Sequence, residues 1–103
     1  MSLQNNWREQ VAPDFQELLP DFLNNLQSES ARLARLLQRA DFGELARIGH
    51  NFKGSAGYFG LTELGQLSRA LELHSKAGDK PAVRATIEAW QALLVRLELA
   101  PER

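Results

Sequence analysis

The 103-residue chain has no cysteine, one methionine, one tyrosine and four prolines. Missing thiols exclude disulfides and thiolate metal sites, and they agree with a reducing, cytoplasmic setting. Neither charge sign is in excess: twelve Lys and Arg face thirteen Asp and Glu, for a formal net charge of −1. No basic stripe interleaved with aromatics occurs, so nucleic acid is not an expected partner. Long hydrophobic runs are missing too. No segment reaches the roughly eighteen apolar residues of a membrane span, and the opening MSLQNNWREQVAPDF carries no apolar stretch flanked by positive charge. A soluble protein without a membrane partner is expected. Glycine-rich phosphate loops and nucleotide motifs are also lacking, so no ATP-dependent kinase activity is expected of the chain itself. Its length suits a single domain over 1–103 with one core, and Met1 with the short length favours a free-standing protein over a module of a larger one.

β-Branched residues are few and no alternating run persists, whereas Leu, Ala, Glu, Gln and Arg abound, which points to an all-α chain. Leu19, Phe22, Leu26, Leu33, Leu37 and Ala40 recur at helical spacing and predict one amphipathic helix ending near Ala40. Pro20 fits its first turn or a kink. Asp41 with Glu44 three residues on reads as a capping box, opening a second helix that runs to about Phe59 and stops at Gly60. Leu64, Leu67, Leu71 and His74 mark a third helix, running out at Gly78-Asp79. A fourth starts at Asp79 or Lys80 with Pro81 in its first turn, and it carries Val83, Ile87, Trp90, Leu94 and Leu97. Short turns between four long helices imply an up-down antiparallel four-helix bundle with a short extra N-terminal helix or extension. Phe22, Phe52, Phe59 and Trp90 fall within the apolar stripes and are expected in the core, with Trp7 capping one end.

The stretch GHNFKGSAGYFG, residues 49–60, places four of the seven glycines inside a helical pattern. Each interior glycine costs a helix about 1 kcal/mol relative to alanine, so helix stability did not select them. At 100° per residue, Leu45, Ile48, Phe52, Ser55, Ala56 and Phe59 lie on the side away from His50, and that side faces the core. Gly43, Ala46, Arg47, Lys53, Gly54 and Gly57 lie within roughly 60° of the histidine. Bare positions at Gly54 and Gly57 clear space around an imidazole, while Gly49, at the core boundary, lets a neighbouring helix come close. Lys53, one turn on, can share an anion with His50. An imidazole can act as a nucleophile, and a phosphoryl group on it would gain from the adjacent ammonium. A lone surface histidine without a role is the usual alternative, and it is the spacing of Lys53, Gly54, Gly57 and Gly60 that argues against it. His74 follows the core stripe and is assigned no role, and no ligand pair at helical spacing supports a metal site joining it to His50.

ARIGHNFKGSAGYFG, continuing through LTELGQLSRALE, resembles the histidine-containing phosphotransfer (HPt) family of two-component phosphorelays. The matching residues are His50, the large apolar Phe52, Lys53-Gly54-Ser55, Gly60 and Leu71-Glu72. Phe52 departs mildly from the commoner leucine. The resemblance spans roughly residues 18–97 and implies a four-helix bundle with the histidine exposed midway along one helix. It implies that His50 accepts a phosphoryl group from a receiver-domain aspartyl phosphate and passes it to another receiver aspartate. Lys53 would steady the phosphate; Gly54, with Gly57, Ala46 and Arg47, would give the docking receiver room; and Glu72 would orient the ring, unless it is an ordinary exposed glutamate beside Leu71. Implied partners are response-regulator receivers and a histidine or hybrid sensor kinase, met by a monomer, with Mg²⁺ in the receiver and no cofactor in this chain. The competing expectation is a helical adaptor that binds a signalling partner without carrying phosphate.

Overall fold

The computed structural model describes residues 3–99, with side chains from Trp7 onward, and the described residues contain no strand. A 3₁₀ segment, Leu3–Gln10, precedes α1 (Pro13–Gln16), α2 (Leu19–Ser30), α3 (Leu33–Gln38), α4 (Phe42–Ser55), a 3₁₀ turn (Ala56–Phe59), α5 (Thr62–Lys76) and α6 (Lys80–Arg96). None of these helices is long and apolar enough to cross a membrane.

The helix expected to run unbroken from Leu19 to Ala40 is two helices. Pro20 occupies the first turn of α2, as its fixed φ allows. At the far end Trp90 Nε1 donates to Ser30 Oγ at 2.8 Å, and Gln91 Nε2 donates to the Ser30 carbonyl at 3.1 Å. With the Ser30 carbonyl taken by Gln91 the ladder tightens, and Arg32 N–H reaches back only to the Glu29 carbonyl before α3 resumes. The apolar stripe survives the break, since Leu26, Leu33 and Leu37 are all buried.

Asp41 Oδ1 accepts from Glu44 N–H at 3.2 Å and starts α4. The reciprocal half of a capping box does not form, because Asp41 N–H donates to the Leu36 carbonyl and the Glu44 carboxylate turns to Arg32 and Arg47. α6 opens likewise, with Asp79 Oδ1 accepting from Ala82 N–H. Four helix ends close through a residue of positive φ: Ala40 (53°), Gly60 (70°), Gly78 (65°) and Glu98 (61°). Each is followed by an N–H that reaches back five residues, from Asp41 to Leu36, Leu61 to Ala56, Asp79 to His74 and Leu99 to Leu94. These are Schellman closures, two on the expected glycines and two on residues that carry a Cβ.

Cross-helix contacts fix an antiparallel register. Glu29 meets Arg47 while Arg32 meets Glu44, so the α2–α3 arm runs against α4. Gly49 abuts Ser68 and Glu72 while Gly65 lies near Ala56, so α4 runs against α5. Ser30 meets Trp90 while Gln27 reaches Leu99, so the arm also runs against α6. Glu63 and Arg96 join the start of α5 to the end of α6. Leu45, Ile48, Leu64, Leu71, Val83, Trp90 and Leu94 are wholly enclosed between the helices. Phe22 stacks on Phe59 at 4.2 Å and meets Phe52 edge-on at 6.0 Å, and Phe52 meets Trp90 in turn. At one end of the bundle Trp7 Nε1 donates to the Leu97 carbonyl at 3.4 Å and Phe15 packs on Tyr58 and Phe59. The N-terminal segment is thus a cap.

Ala40 holds a left-handed conformation that costs an L-residue about 1–2 kcal/mol, and glycine would relieve it at an unfolded-state entropy cost of about 0.4–1. Ala40→Gly is therefore expected to raise stability by about 0.5–1 kcal/mol, seen as a higher urea midpoint at unchanged slope. A lower midpoint would contradict the assignment of this turn.

Candidate functional site

Because α4 buries Leu45, Ile48 and Phe52, the helix turns His50 outward, and its side chain is 66 % exposed. Around it the glycines lie open: a Cβ built on Gly43, Gly54 or Gly57 would meet nothing within 4 Å. Gly49 is the opposite case. A Cβ there would come within 2.6 Å of the Ser68 carbonyl oxygen and 2.7 Å of Glu72 N, both backbone atoms of α5. The two helices thus touch at this level, and the contact brings Glu72 beside the histidine.

Glu72 is the centre of the site. Its residue is only 8 % exposed, yet three donors converge on its carboxylate. His50 Nδ1 lies 3.0 Å from Oε2, Lys53 Nζ lies 2.7 Å from Oε1, and Lys76 Nζ lies 3.0 Å from Oε2. The hydrogen bonds from Lys53, then Lys76, hold the Glu72 carboxyl well below its ordinary value of 4.5, at about 2, against the opposing effect of burial; His50 adds to them. The carboxylate is therefore ionised at any physiological pH, and an ionised carboxylate can only accept. The proton between it and His50 then sits on Nδ1, which leaves the lone pair of the neutral ring on Nε2.

The other predicted residues are distributed unevenly. Lys53 and Glu72 join His50 in one hydrogen-bonded group, and Gly54 and Gly57 flank it. Ala46 is half-buried on the same helix. Arg47 is no bare ground: its guanidinium is 2.7 Å from Glu44 and 3.0 Å from Glu29, and Arg32 pairs with both acids as well. That network clamps the α2–α3 junction to the first turn of α4 and holds the Glu44 carboxyl down at about 2 through Arg47 and then Arg32. His74 is half-buried on α5. Among the described residues no group of three or more His, Asp or Glu side chains could hold a metal ion. Lys76 was missed by the sequence reading, although a Glu and Lys four apart on a helix is a legible pair. It lines, with Lys53, Arg69, Glu72 and Leu73, a groove of about 370 Å³ beside the histidine.

The family model described as Hpt domain matches residues 17–100 of the chain. Neither the curated proteins nor the solved structures give a match.

A carboxyl whose pKa is depressed on folding stabilises the fold above its unfolded value and loses that contribution as pH falls through the folded one. For Glu72 the window runs from 4.5 down to about 2. Glu72→Gln should therefore lose less stability than the native chain across that interval, as read from urea midpoints at successive pH values. Parallel acid profiles would show that the ion cluster contributes nothing to the fold.

Proposed function

Because the chain belongs to the Hpt domain family, whose members transfer phosphoryl groups through a histidine in phosphorelays, we propose that His50 is its phospho-acceptor. On this reading it takes the group from the aspartyl phosphate of one receiver domain and gives it to the aspartate of another. The observation that carries the proposal is the 3.0 Å contact between Nδ1 and the Glu72 carboxylate on a ring otherwise open to water. With its proton held at Nδ1, the ring attacks phosphorus through Nε2. The P–N bond forms as the P–O bond breaks, and the donor aspartate leaves as a carboxylate. The Nδ1 proton stays where it is, so the phosphorylated ring gains positive charge directly opposite Glu72. Lys53 spends one N–H on Glu72 and has two left for the phosphoryl oxygens. Reversal of the same steps discharges the group to the next receiver.

Positioning dominates such a reaction, because in-line alignment can lower a barrier by about 7–11 kcal/mol whereas a single exposed ion pair adds about 0–1. The open ground at Gly54 and Gly57, which lets a receiver bring its aspartate to Nε2, therefore weighs more than any one cation. Histidine or hybrid kinases and receiver domains are the proposed partners of a cytoplasmic monomer, with the divalent metal in the receiver and none in this chain.

Incubation with a phosphorylated receiver is expected to put acid-labile, base-stable phosphate on the native protein and none on His50→Gln. Label retained by that variant would refute the acceptor, and a stable complex with no transfer would leave the adaptor reading. Gly54→Gln adds bulk without charge and should slow transfer about tenfold or more at unchanged helical signal. An unaltered rate would show that clearance at this position is immaterial.

A further inference from the structure

Gly49 stands apart from the other glycines around His50. Gly43, Gly54 and Gly57 have open space where a side chain would go, but the missing Cβ of Gly49 would lie 2.6 Å from Ser68 O, 2.7 Å from Glu72 N and 3.2 Å from Glu72 Cα. Two of those three atoms belong to Glu72 itself. The first two are acceptor and donor of one rung in the α5 ladder, four residues apart, and no side-chain rotation can move either of them. Carbon and its neighbours prefer separations of about 3.5–4 Å. A side chain at position 49 would thus push this part of α5 outward by roughly 1 Å.

The consequence falls on the carboxylate. Glu72 reaches His50 Nδ1 at 3.0 Å and Lys53 Nζ at 2.7 Å. A retreat of roughly 1 Å takes both contacts beyond about 3.5 Å, where they cease to be hydrogen bonds. We infer that Gly49 is a positioning residue: by letting α5 rest on α4 it places Glu72 within reach of His50 and so fixes the tautomer of the ring, with the lone pair on Nε2. Helix propensity alone would favour alanine at this interior site, so the glycine is held there against the local preference of the helix. The inference extends the phosphotransfer reading by naming what sets the orientation of the nucleophile, but the tautomer itself is a property of the unphosphorylated protein.

The ring nitrogens of His50 report the tautomer by ¹⁵N NMR at a pH where the ring is neutral, in a His74→Gln background that leaves one histidine. The native site should show chiefly the Nδ1–H form. Gly49→Ala should lower the ratio of Nδ1–H to Nε2–H by about tenfold or more, as loss of a charge-assisted hydrogen bond would. Gly43→Ala makes the same change on the same helix where nothing lies within 4 Å, and should leave the ratio unaltered. Transfer from a phosphorylated receiver should fall in Gly49→Ala along with the ratio. A folded Gly49→Ala protein with the native ratio would overturn the inference. So would a Gly49→Ala chain that stays unfolded even in concentrated sucrose, because the glycine would then support the whole bundle and not the carboxylate in particular. Absence of phosphate on native His50 would sink the phosphotransfer reading while leaving the tautomer measurement intact.

Discussion

The contact between α4 and α5 at Gly49 is the constraint on which the site depends. Helices with ordinary side chains between them pack with axes 8–10 Å apart, and a glycine at the contact allows the closer end of that range. Everything polar at the site follows from the approach. Glu72 is buried one residue away from the core side chain Leu71, yet it reaches three donors on the surface of the bundle. Burial of a carboxylate opposes its ionisation, and two ammonium groups with an imidazole N–H reverse the balance. The low pKa therefore records a contest that the donors win, and it keeps Glu72 an acceptor across the physiological range.

A second cluster does a different job. Glu29, Arg32, Glu44 and Arg47 pair across the junction of α2 and α3 with the start of α4. Such exposed pairs contribute about 0–1 kcal/mol each, so their value lies in geometry more than in stability. They fasten the first turn of α4 at one end, while Phe22 and Phe15 pack on Phe59 at the other. Between these anchors α4 contains no Pro, and His50 rides near its midpoint. On the phosphotransfer reading the nucleophile is carried on an element fixed at both ends, which suits a reaction governed by alignment.

Much of this was legible in the residues. Four apolar stripes, Asp41 as a cap, Gly60 and Gly78 as stops, and the outward face of His50 all follow from periods and propensities. Most of what local pattern did not reveal was decided by a partner distant in sequence. The break at Ala31-Arg32 falls where Gln91, about sixty residues away, takes the Ser30 carbonyl. Local pattern alone reads Glu72 as an exposed neighbour of Leu71; the family resemblance is what set it beside the ring, and the proximity of α4 puts its carboxylate there. Arg47 reads as part of an open face, but Glu29 on another helix holds it. Ala40 has no local mark of a left-handed residue, and the closure of α3 imposes that conformation on it. Local rules gave the elements and their faces, whereas tertiary contacts assigned the polar groups their partners.

Charge at the site bears on why a carrier would use a glutamate beside its histidine. Before transfer, Lys53 and Lys76 with Glu72 sum to one positive charge. A phosphoryl group brings about two negative charges, and the ring that retains its Nδ1 proton brings one positive, so the phosphorylated site is close to neutral. Without Glu72 the unphosphorylated site would be twice as positive, and a phosphoryl group would be held more tightly against release to the next aspartate. With Glu72 but no lysines the charged form would be opposed outright. On the phosphotransfer reading, the combination of one carboxylate and two ammonium groups keeps the two states close in energy. A relay intermediate requires that balance, because it must give up the group as readily as it receives it.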